Sequence, residues 1–587
     1  MNYNLNKASK NLKHKQSVFN SLKKLFGIIS DEKRILYIAL IAIFLNAILS
    51  LIGPYMVGYS IDNFVTLKDY HGLLLFSGIL LLLYILAFIV NYSQMRLMGE
   101  IGQRMLYNLR NSVFNKLQEL PLDFFNQNKA GDLISRINND TQNVNQFFSQ
   151  SFMRFIGSLI TMTGAAVILL VLNFWLGLAA LSPAVFILIF TRVISPWIRR
   201  KNEASLKSLG YLSAEVQEDL SNFKVVVAYN RRDYFRKNFK AANEENYKKS
   251  VLAGIANTML TPIYTFASNI GSLVVLVFGI WLIIKGHFTV GLLISFIAYI
   301  RNFYNPLRQL AALWASFQRA LAAWDRISLL LSFKSNLQIV ENTQEKASSS
   351  YILFKDVSFS YPNGTKVLHK VNFDLQRGKT YAFVGPTGGG KTTTASLIAR
   401  LYDRTEGSIL LEGKDIRTFS ACERAKKIGF ILQEPFLFSG TVRENILYGN
   451  PQCSGLSDDK LEDYLSESKL LSLINRFDNG LDTVINNNSD GFSIGQKQII
   501  AFMRAIIRKP ELLILDEATA NVDTVTEQLL ENILNELPDS TTKVIIAHRL
   551  NTIENADEIF FVNSGEIVSA DSFPEVINLF KNGKQNS

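Results

Sequence analysis

The stretch Gly385-Pro-Thr-Gly-Gly-Gly-Lys391-Thr392 has residue types and spacing that can hold a chain of phosphates. It reads G-x-x-x-x-G-K-[ST] and follows the apolar run Tyr381 to Val384, the context of a strand feeding a turn that opens a helix. Gly385, Gly388, Gly389 and Gly390, with Pro386 and Thr387 between them, let backbone N–H groups turn toward an anion. The helix expected from about Lys391 to Leu401 adds the positive end of its dipole. Lys391 is placed to reach β- and γ-phosphates, Thr392 to put its hydroxyl on Mg²⁺, and Thr393 follows in the same turn. The alternative is an accidental glycine-rich turn, which the strand and helix on either side argue against.

Other residues in the second half have the types such a loop needs around it. Glu511 to Leu515 is an unbroken apolar strand that ends in Asp516-Glu517. A buried parallel strand reads this way, and ligands sit at its C-terminal end. Asp516 suits Mg²⁺, and Glu517 suits polarising an attacking water. The run Thr542 to Ala547 is a second such strand, ending in His548, a candidate contact to a γ-phosphate. Gln433 follows the strand Ile428 to Leu432 and is a further candidate ligand for Mg²⁺ or water. Tyr361 precedes a turn and is a candidate to stack on an adenine ring. Phe492-Ser-Ile-Gly-Gln496 precedes a helix expected near Lys497, where first-turn N–H groups face an anion. A second phosphate-binding element makes sense if it addresses a nucleotide held by another copy of the domain.

The elements that must carry these residues divide the chain of 587 residues sharply. Hydrophobic content is 48% and charged content 19%, with a net charge of +11. The basic residues crowd against apolar runs and mix with acidic ones, which favours a membrane protein over a nucleic-acid binder. Cys422 and Cys453 are the only cysteines, so there is no disulfide framework and the setting reads as reducing. Residues 1–34 show no signal-peptide pattern, and Val18, Phe19, Leu22, Leu25, Phe26 and Ile29 fall at helical spacing. That pattern suits an amphipathic helix on the inner membrane surface or an ordinary surface helix.

Charge-free runs follow at 35–61, 72–95, 155–191 (folded near Asn173), 250–284 and 286–300, the last continuing past Arg301. Six spans are expected within residues 35–331, because a crossing helix needs about 20 apolar residues. The loops at 96–154 and 192–249 are long, helical in pattern and rich in Lys and Arg, which places them and both termini in the cytoplasm. Breaks near Pro121 to Phe125 and Ser221 to Phe223 mark either short transverse helices at the loop tips or plain hairpins. Arg301 lies about 21 Å below His287 at 1.5 Å per residue, where it either faces a cavity or snorkels to the inner headgroups. Residues 332–350 lose the apolar pattern and read as a linker, and an α/β domain on a mainly parallel sheet is expected over 351–587.

Taken together, Tyr361, Gly385 to Thr392, Gln433, Phe492 to Gln496, Leu512 to Glu517, Ala520 to Asp523 and His548 resemble the ATP-binding cassette. In order they match its A-loop, Walker A, Q-loop, signature, Walker B with catalytic Glu, D-loop and H-loop. With spans placed before the cassette, the whole chain resembles an ABC exporter half-transporter. The fold implied is an α-helical six-span bundle followed by an α/β P-loop NTPase. The resemblance implies ATP and Mg²⁺, a second half-transporter, swapped helices, and two ATP sites each closed by the other subunit's signature. It assigns catalysis to Glu517, Lys391 and His548, metal binding to Thr392, Gln433 and Asp516, and closure across the dimer to Ser493, Gly495, Gln496 and Asp523. The loop tips near 123–133 and 221–231 match coupling helices, and the setting implied is a bacterial plasma membrane.

Two departures bear on the partner. Ile494 stands where the signature L-S-G-G-Q has its first glycine, and Asn486-Asn-Asn488 stands where related exporters often carry Gly-Glu-Arg. With Glu517 and His548 intact, this resembles the hydrolysing half of a heterodimer, and residues 299–307 look like that kind of subunit; a homodimer that tolerates Ile494 is the alternative. The expected substrate is a drug or lipid, hydrophobic or amphipathic, exported by alternating access. A lipid flippase, an ATP-gated channel and a peptide secretion cassette share the scaffold, although 34 residues before the first span leave no room for the protease domain common in the last.

Overall fold

The computed structural model describes residues 3–5, 33–335, 337, 339–341, 350–362, 364–450, 458–467, 470–486, 491–517, 524–546, 555–570 and 574–575. The expected amphipathic helix near the start falls outside them. The chain forms two compact units. One comprises residues 5–118 and 131–332; the other comprises residues 1–4, 119–130 and 333–587.

The first unit is all helix. Five helices in it are long and apolar enough to cross a membrane: α1 Lys33–Val65, α2 Tyr70–Glu119, α4 Ala130–Leu172, α5 Phe174–Ser221 and α7 Arg232–Ile284. A further long helix, α8 Val290–Ser332, carries Arg301 and contains Pro306. A short helix lies at each expected break, α6 Phe223–Ala228 in this unit and α3 Leu122–Gln127 in residues 119–130 of the other, so neither break is a plain hairpin. The fold at Asn173 has a local cause, since its side chain accepts from the N–H of Leu176 at 3.0 Å and caps α5. Between the end of α1 and the start of α8, Asp62 accepts from Thr289 Oγ1 at 2.6 Å and from the Gly291 N–H at 2.8 Å, fixing the start of α8.

The helices of this unit pack through small residues and anchored tyrosines. Ala180, Ala184, Ala267, Phe296, Tyr299 and Tyr304 share one core. Buried Tyr299 donates to Leu51 O at 2.6 Å and buried Tyr304 to Ala180 O at 2.9 Å. Each phenol thereby satisfies its hydroxyl where no water reaches. By contrast, α2 exposes Leu75, Leu82 and Phe88, a face suited to lipid or to a second subunit.

The second unit is built on strands β1 Ile352–Ser360, β2 Lys366–Leu375, β3 Thr380–Val384, β4 Glu406–Leu411, β5 Lys414–Asp415, β6 Ile428–Ile431, β7 Gly440–Thr441, β8 Val484–Ile485, β9 Leu512–Asp516, β10 Thr542–Ile546, β11 Glu558–Asn563 and β12 Glu566–Ala570. Six of them form one sheet in the order β12-β11-β3-β10-β9-β6, parallel from β11 to β6 with β12 antiparallel at one edge. A second sheet, β2-β1-β4-β5, is antiparallel, an element the expected mainly parallel sheet did not include. Its alternating faces pack Phe354 on Phe373 with ring centroids 4.3 Å apart, and Phe373 meets Phe383 and Phe560 of the parallel sheet.

The β9 sequence Leu-Leu-Ile-Leu-Asp is buried along its whole length because neighbouring strands and helices cover both faces. Ile514 sits opposite Val544 and Phe430 at its centre. Ile514→Ala should cost about 2–5 kcal/mol through lost burial and a residual cavity. The check is a lower unfolding temperature of the ATPase unit in the purified full-length chain.

Candidate functional site

The parallel sheet brings the C-terminal ends of β3 and β9 side by side, separated only by β10. The phosphate loop leaves β3 at Gly385 (φ +150°) and passes Gly388 (φ +83°) and Gly390 (φ +118°) into α9 Lys391–Ile398. A Cβ on Gly385 would collide with the carbonyl oxygen of Val562 in β11, so only glycine lets the loop lie this close to the sheet. A Cβ on Gly388 would meet nothing within 4 Å, which leaves the crown of the loop open.

Lys391 is buried, and its Nζ donates to Gly385 O at 2.9 Å and Pro386 O at 3.1 Å. Burial holds its pKa below the usual lysine range, while the charges of Glu517 and Asp516 oppose that shift. The ammonium thus rests on loop carbonyls that a phosphate oxygen would out-compete. Thr392 is exposed and donates to Asp516 Oδ1 at 3.2 Å. Asp516 itself is buried at the end of β9. A hydroxyl and a carboxylate converging from two elements form the oxygen donor set that suits Mg²⁺.

Glu517 turns the chain out of β9 with φ +50°, a left-handed conformation that costs a residue with a Cβ about 1–2 kcal/mol. Its Oε2 accepts from Gln433 Nε2 at 2.6 Å. Gln433 therefore reaches the acid at the strand end across two elements. Tyr361 shares a hydrogen bond of 3.1 Å with Thr393 Oγ1 and stands edge-on to Tyr402 at 5.5 Å. Its ring is thereby fixed beside the phosphate loop. His548 and Asp523 lie outside the described residues.

Ser493 and Gln496 are not drawn into this cluster. Helix α10 is Ile494–Ile506, beginning three residues before the expected start because Ser493 is its cap. Ser493 Oγ accepts from the Gln496 N–H at 3.1 Å, and Gln496 Oε1 accepts from the Ser493 N–H at 3.0 Å. Gln496 Nε2 also donates to Arg476 O at 3.3 Å, and Phe492 packs on Phe477. Gly495 lies in the first turn of α10, and the Ile494 side chain beside it is 54% exposed.

The sequence reading missed Arg504. Its guanidinium donates to Asn445 O at 2.8 Å, Asn445 Oδ1 at 2.9 Å and Phe436 O at 3.0 Å, tying α10 to the loop that follows Gln433. It also lies over the ring of Tyr448 at 5.6 Å, and burial lowers its pKa. A cation on the otherwise apolar face of α10 was the available signal.

A second feature lies in the helical unit, where α1, α2, α4 and α8 surround a cavity of about 210 Å³. Asn46, Ser50, Gln94, Arg154, Thr161 and Gln309 line it, and no described lining residue is a carboxylate.

This fold and site define a membrane-embedded P-loop ATPase. A model of the ABC transporter transmembrane region matches residues 36–307, and an ABC transporter model matches residues 368–520. Along 562 residues the chain is 34% identical to an uncharacterised ABC transporter ATP-binding protein of Bacillus subtilis, covering 95% of this chain and 92% of that protein. It is 33% identical over 497 residues to a fatty acid ABC transporter ATP-binding/permease protein of Mycobacterium bovis, covering 85% of this chain and 78% of that one. It is 30% identical to an ATP-dependent lipid A-core flippase of Vibrio parahaemolyticus, covering 97% of each. The chain belongs to the ABC transporter family, as a multi-pass membrane subunit with a fused transport ATPase of the exporter type.

Arg504→Met should remove the bonds to buried Asn445 and the exposed bond to Phe436 O, at about 1–3 kcal/mol for the buried acceptor. A fall in unfolding temperature, with weakened contact between Gln433 and Glu517 read as slower ATP turnover, is the expected outcome.

Proposed function

We propose that this chain is one half of a dimeric exporter that moves an amphipathic substrate with an acidic head out of the inner leaflet by alternating access. The long basic loops and both termini are cytoplasmic in this reading, and the membrane is the bacterial plasma membrane. The observation that carries the substrate class is the polar cavity: Arg154 lines it beside Asn46, Gln94 and Gln309, with no described carboxylate to neutralise it. Charged and polar groups inside a bundle are retained where they meet a ligand or water, and an unbalanced arginine repels cations and accepts anions. The relatives named for a fatty acid and for lipid A agree with that chemistry.

In the ATPase unit, Lys391 exchanges its loop carbonyls for β- and γ-phosphate oxygens and His548 adds a donor to the γ-phosphate. Thr392, Asp516 and Gln433 are the residues that would hold Mg²⁺, which neutralises phosphate charge when bound. Tyr361 supports the adenine. Glu517 accepts from Gln433 and is the acid that orients the attacking water. Ser493, Gly495, Gln496 and Asp523 address the nucleotide of the other subunit, which accords with Ser493 and Gln496 capping each other apart from this chain's own loop. ATP brings the two ATPase units together and opens the bundle outward, and hydrolysis resets it.

A heterodimer is the favoured assembly. The exposed Ile494 would stand against the partner's nucleotide, where a β-branched side chain replaces the glycine that close approach requires. The tip around α6 exposes Leu220, Phe223, Val225 and Tyr229, an apolar patch suited to docking on the partner's ATPase unit.

Glu517→Gln should leave ATP binding intact and lower turnover by about 100-fold or more, read by nucleotide binding and phosphate release in lipid. The chain purified alone should bind ATP and hydrolyse little until the partner half is added; robust Glu517-dependent hydrolysis by the chain alone would establish a homodimer. Arg154→Glu should abolish the stimulation of ATPase activity by a long-chain alkyl phosphate without lowering basal turnover. Equal stimulation of the native chain by an alkyl trimethylammonium would overturn the acidic-head assignment.

A further inference from the structure

Tyr3 lies far from the phosphate loop in sequence, yet it is completely buried in the same unit (0% exposed). Its N–H donates to Gln127 Oε1 at 2.9 Å, and its carbonyl accepts from Asn128 Nδ2 at 3.0 Å. Its hydroxyl donates to Lys334 O at 3.0 Å. Its ring meets Phe124 at 6.3 Å and Phe333 at 5.7 Å, and those two meet each other at 5.9 Å. One side chain therefore joins the loop-tip helix α3 to the residues that follow α8. A six-residue helix has too few internal hydrogen bonds to hold its own shape. What fixes α3 is this aromatic cage with the fully buried Phe124 at its centre.

The far side of α3 leads to the nucleotide loop. Asn126 Nδ2 donates to Tyr402 Oη at 2.6 Å. Tyr402 stands against Tyr361, and Tyr361 is hydrogen-bonded to Thr393, next to Thr392. An unbroken series of contacts thus runs from the phosphate loop through Asn126 and Gln127 to Tyr3, all within one unit.

We infer that Tyr3 is a positioning residue for transport coupling: it clamps α3 and the segment after α8 to the ATPase unit, so that movement of that unit on binding ATP pulls both connections together. Adjacency alone does not establish coupling, so the test is energetic. The inference rests on the alternating-access reading, and the experiment separates the two.

The full-length chain, with its partner half where one is required, carries Cys422→Ser, Cys453→Ser, Glu517→Gln and one reporter cysteine, Ser50→Cys, in the polar cavity. Labelling by a membrane-impermeant thiol reagent is followed in inside-out vesicles with and without ATP, alongside ATP affinity. In this background ATP should slow labelling as the inner side closes; no ATP effect here would sink the alternating-access reading. Tyr3→Ala should bind ATP unchanged and weaken the ATP effect by at least about fivefold, the lower range of allosteric coupling. Tyr3→Phe keeps the cage and should retain most of the effect. Gln127→Ala removes the acceptor of the Tyr3 N–H, a bond that Tyr3→Ala leaves in place, and should by itself weaken the ATP effect in part. An ATP effect of native size in Tyr3→Ala would overturn the inference. Should Tyr3→Ala fail to assemble, Gln127→Ala decides the matter: native ATP response with native ATP affinity rejects the clamp.

Discussion

A buried ammonium cannot be left unpaired, and the cassette's geometry is arranged around that constraint. Lys391 is buried, and burial lowers its pKa. Two carbonyls of its own loop accept from it, and the charges of Asp516 and Glu517 oppose that shift. Those carboxylates arrive from a different strand, so the site exists only because β3 and β9 run parallel and end together. The apolar character of both strands serves this purpose. A sheet covered on both faces stacks their ends at one point with little freedom to shift.

The same accounting explains why the signature turn stands apart. Ser493 and Gln496 hydrogen-bond each other, which stiffens the first turn of α10. Arg504, on the same helix, carries that rigidity to the loop after Gln433. Helix α10 and the loop after Gln433 are therefore joined through hydrogen bonds of one guanidinium, and Gln433 in turn reaches Glu517.

In the helical unit the governing fact is the solvent. Backbone groups are satisfied within each helix, so the spans need few tertiary contacts to persist and can leave long apolar faces open. Where they do pack, small residues and anchored phenols set the spacing, as at Ala180 with Tyr304 and Leu51 with Tyr299. A polar cavity lies among α1, α2, α4 and α8, and Asn46 and Gln94 bond across it at 3.3 Å.

Much was legible from the sequence because local signals carried it. Charge-free runs set the spans, the G-x-x-x-x-G-K-[ST] run set the phosphate loop, and apolar strands ending in acid set β9. The breaks at Pro121 and Asn222 marked the loop-tip helices for the same local reason. What the sequence could not show were pairings between distant segments. The antiparallel sheet β2-β1-β4-β5, the reach of Gln433 to Glu517, the three bonds of Arg504 and the burial of Tyr3 against Gln127 and Phe333 each join residues far apart in the chain. No local propensity encodes such contacts, because they are won only when packing repays the entropy of bringing the segments together. By itself the sequence determined the chemistry at each position and the class of element holding it. The tertiary structure alone decided which of those positions meet, since burial and hydrogen-bond satisfaction are properties of the folded surroundings and not of the residue.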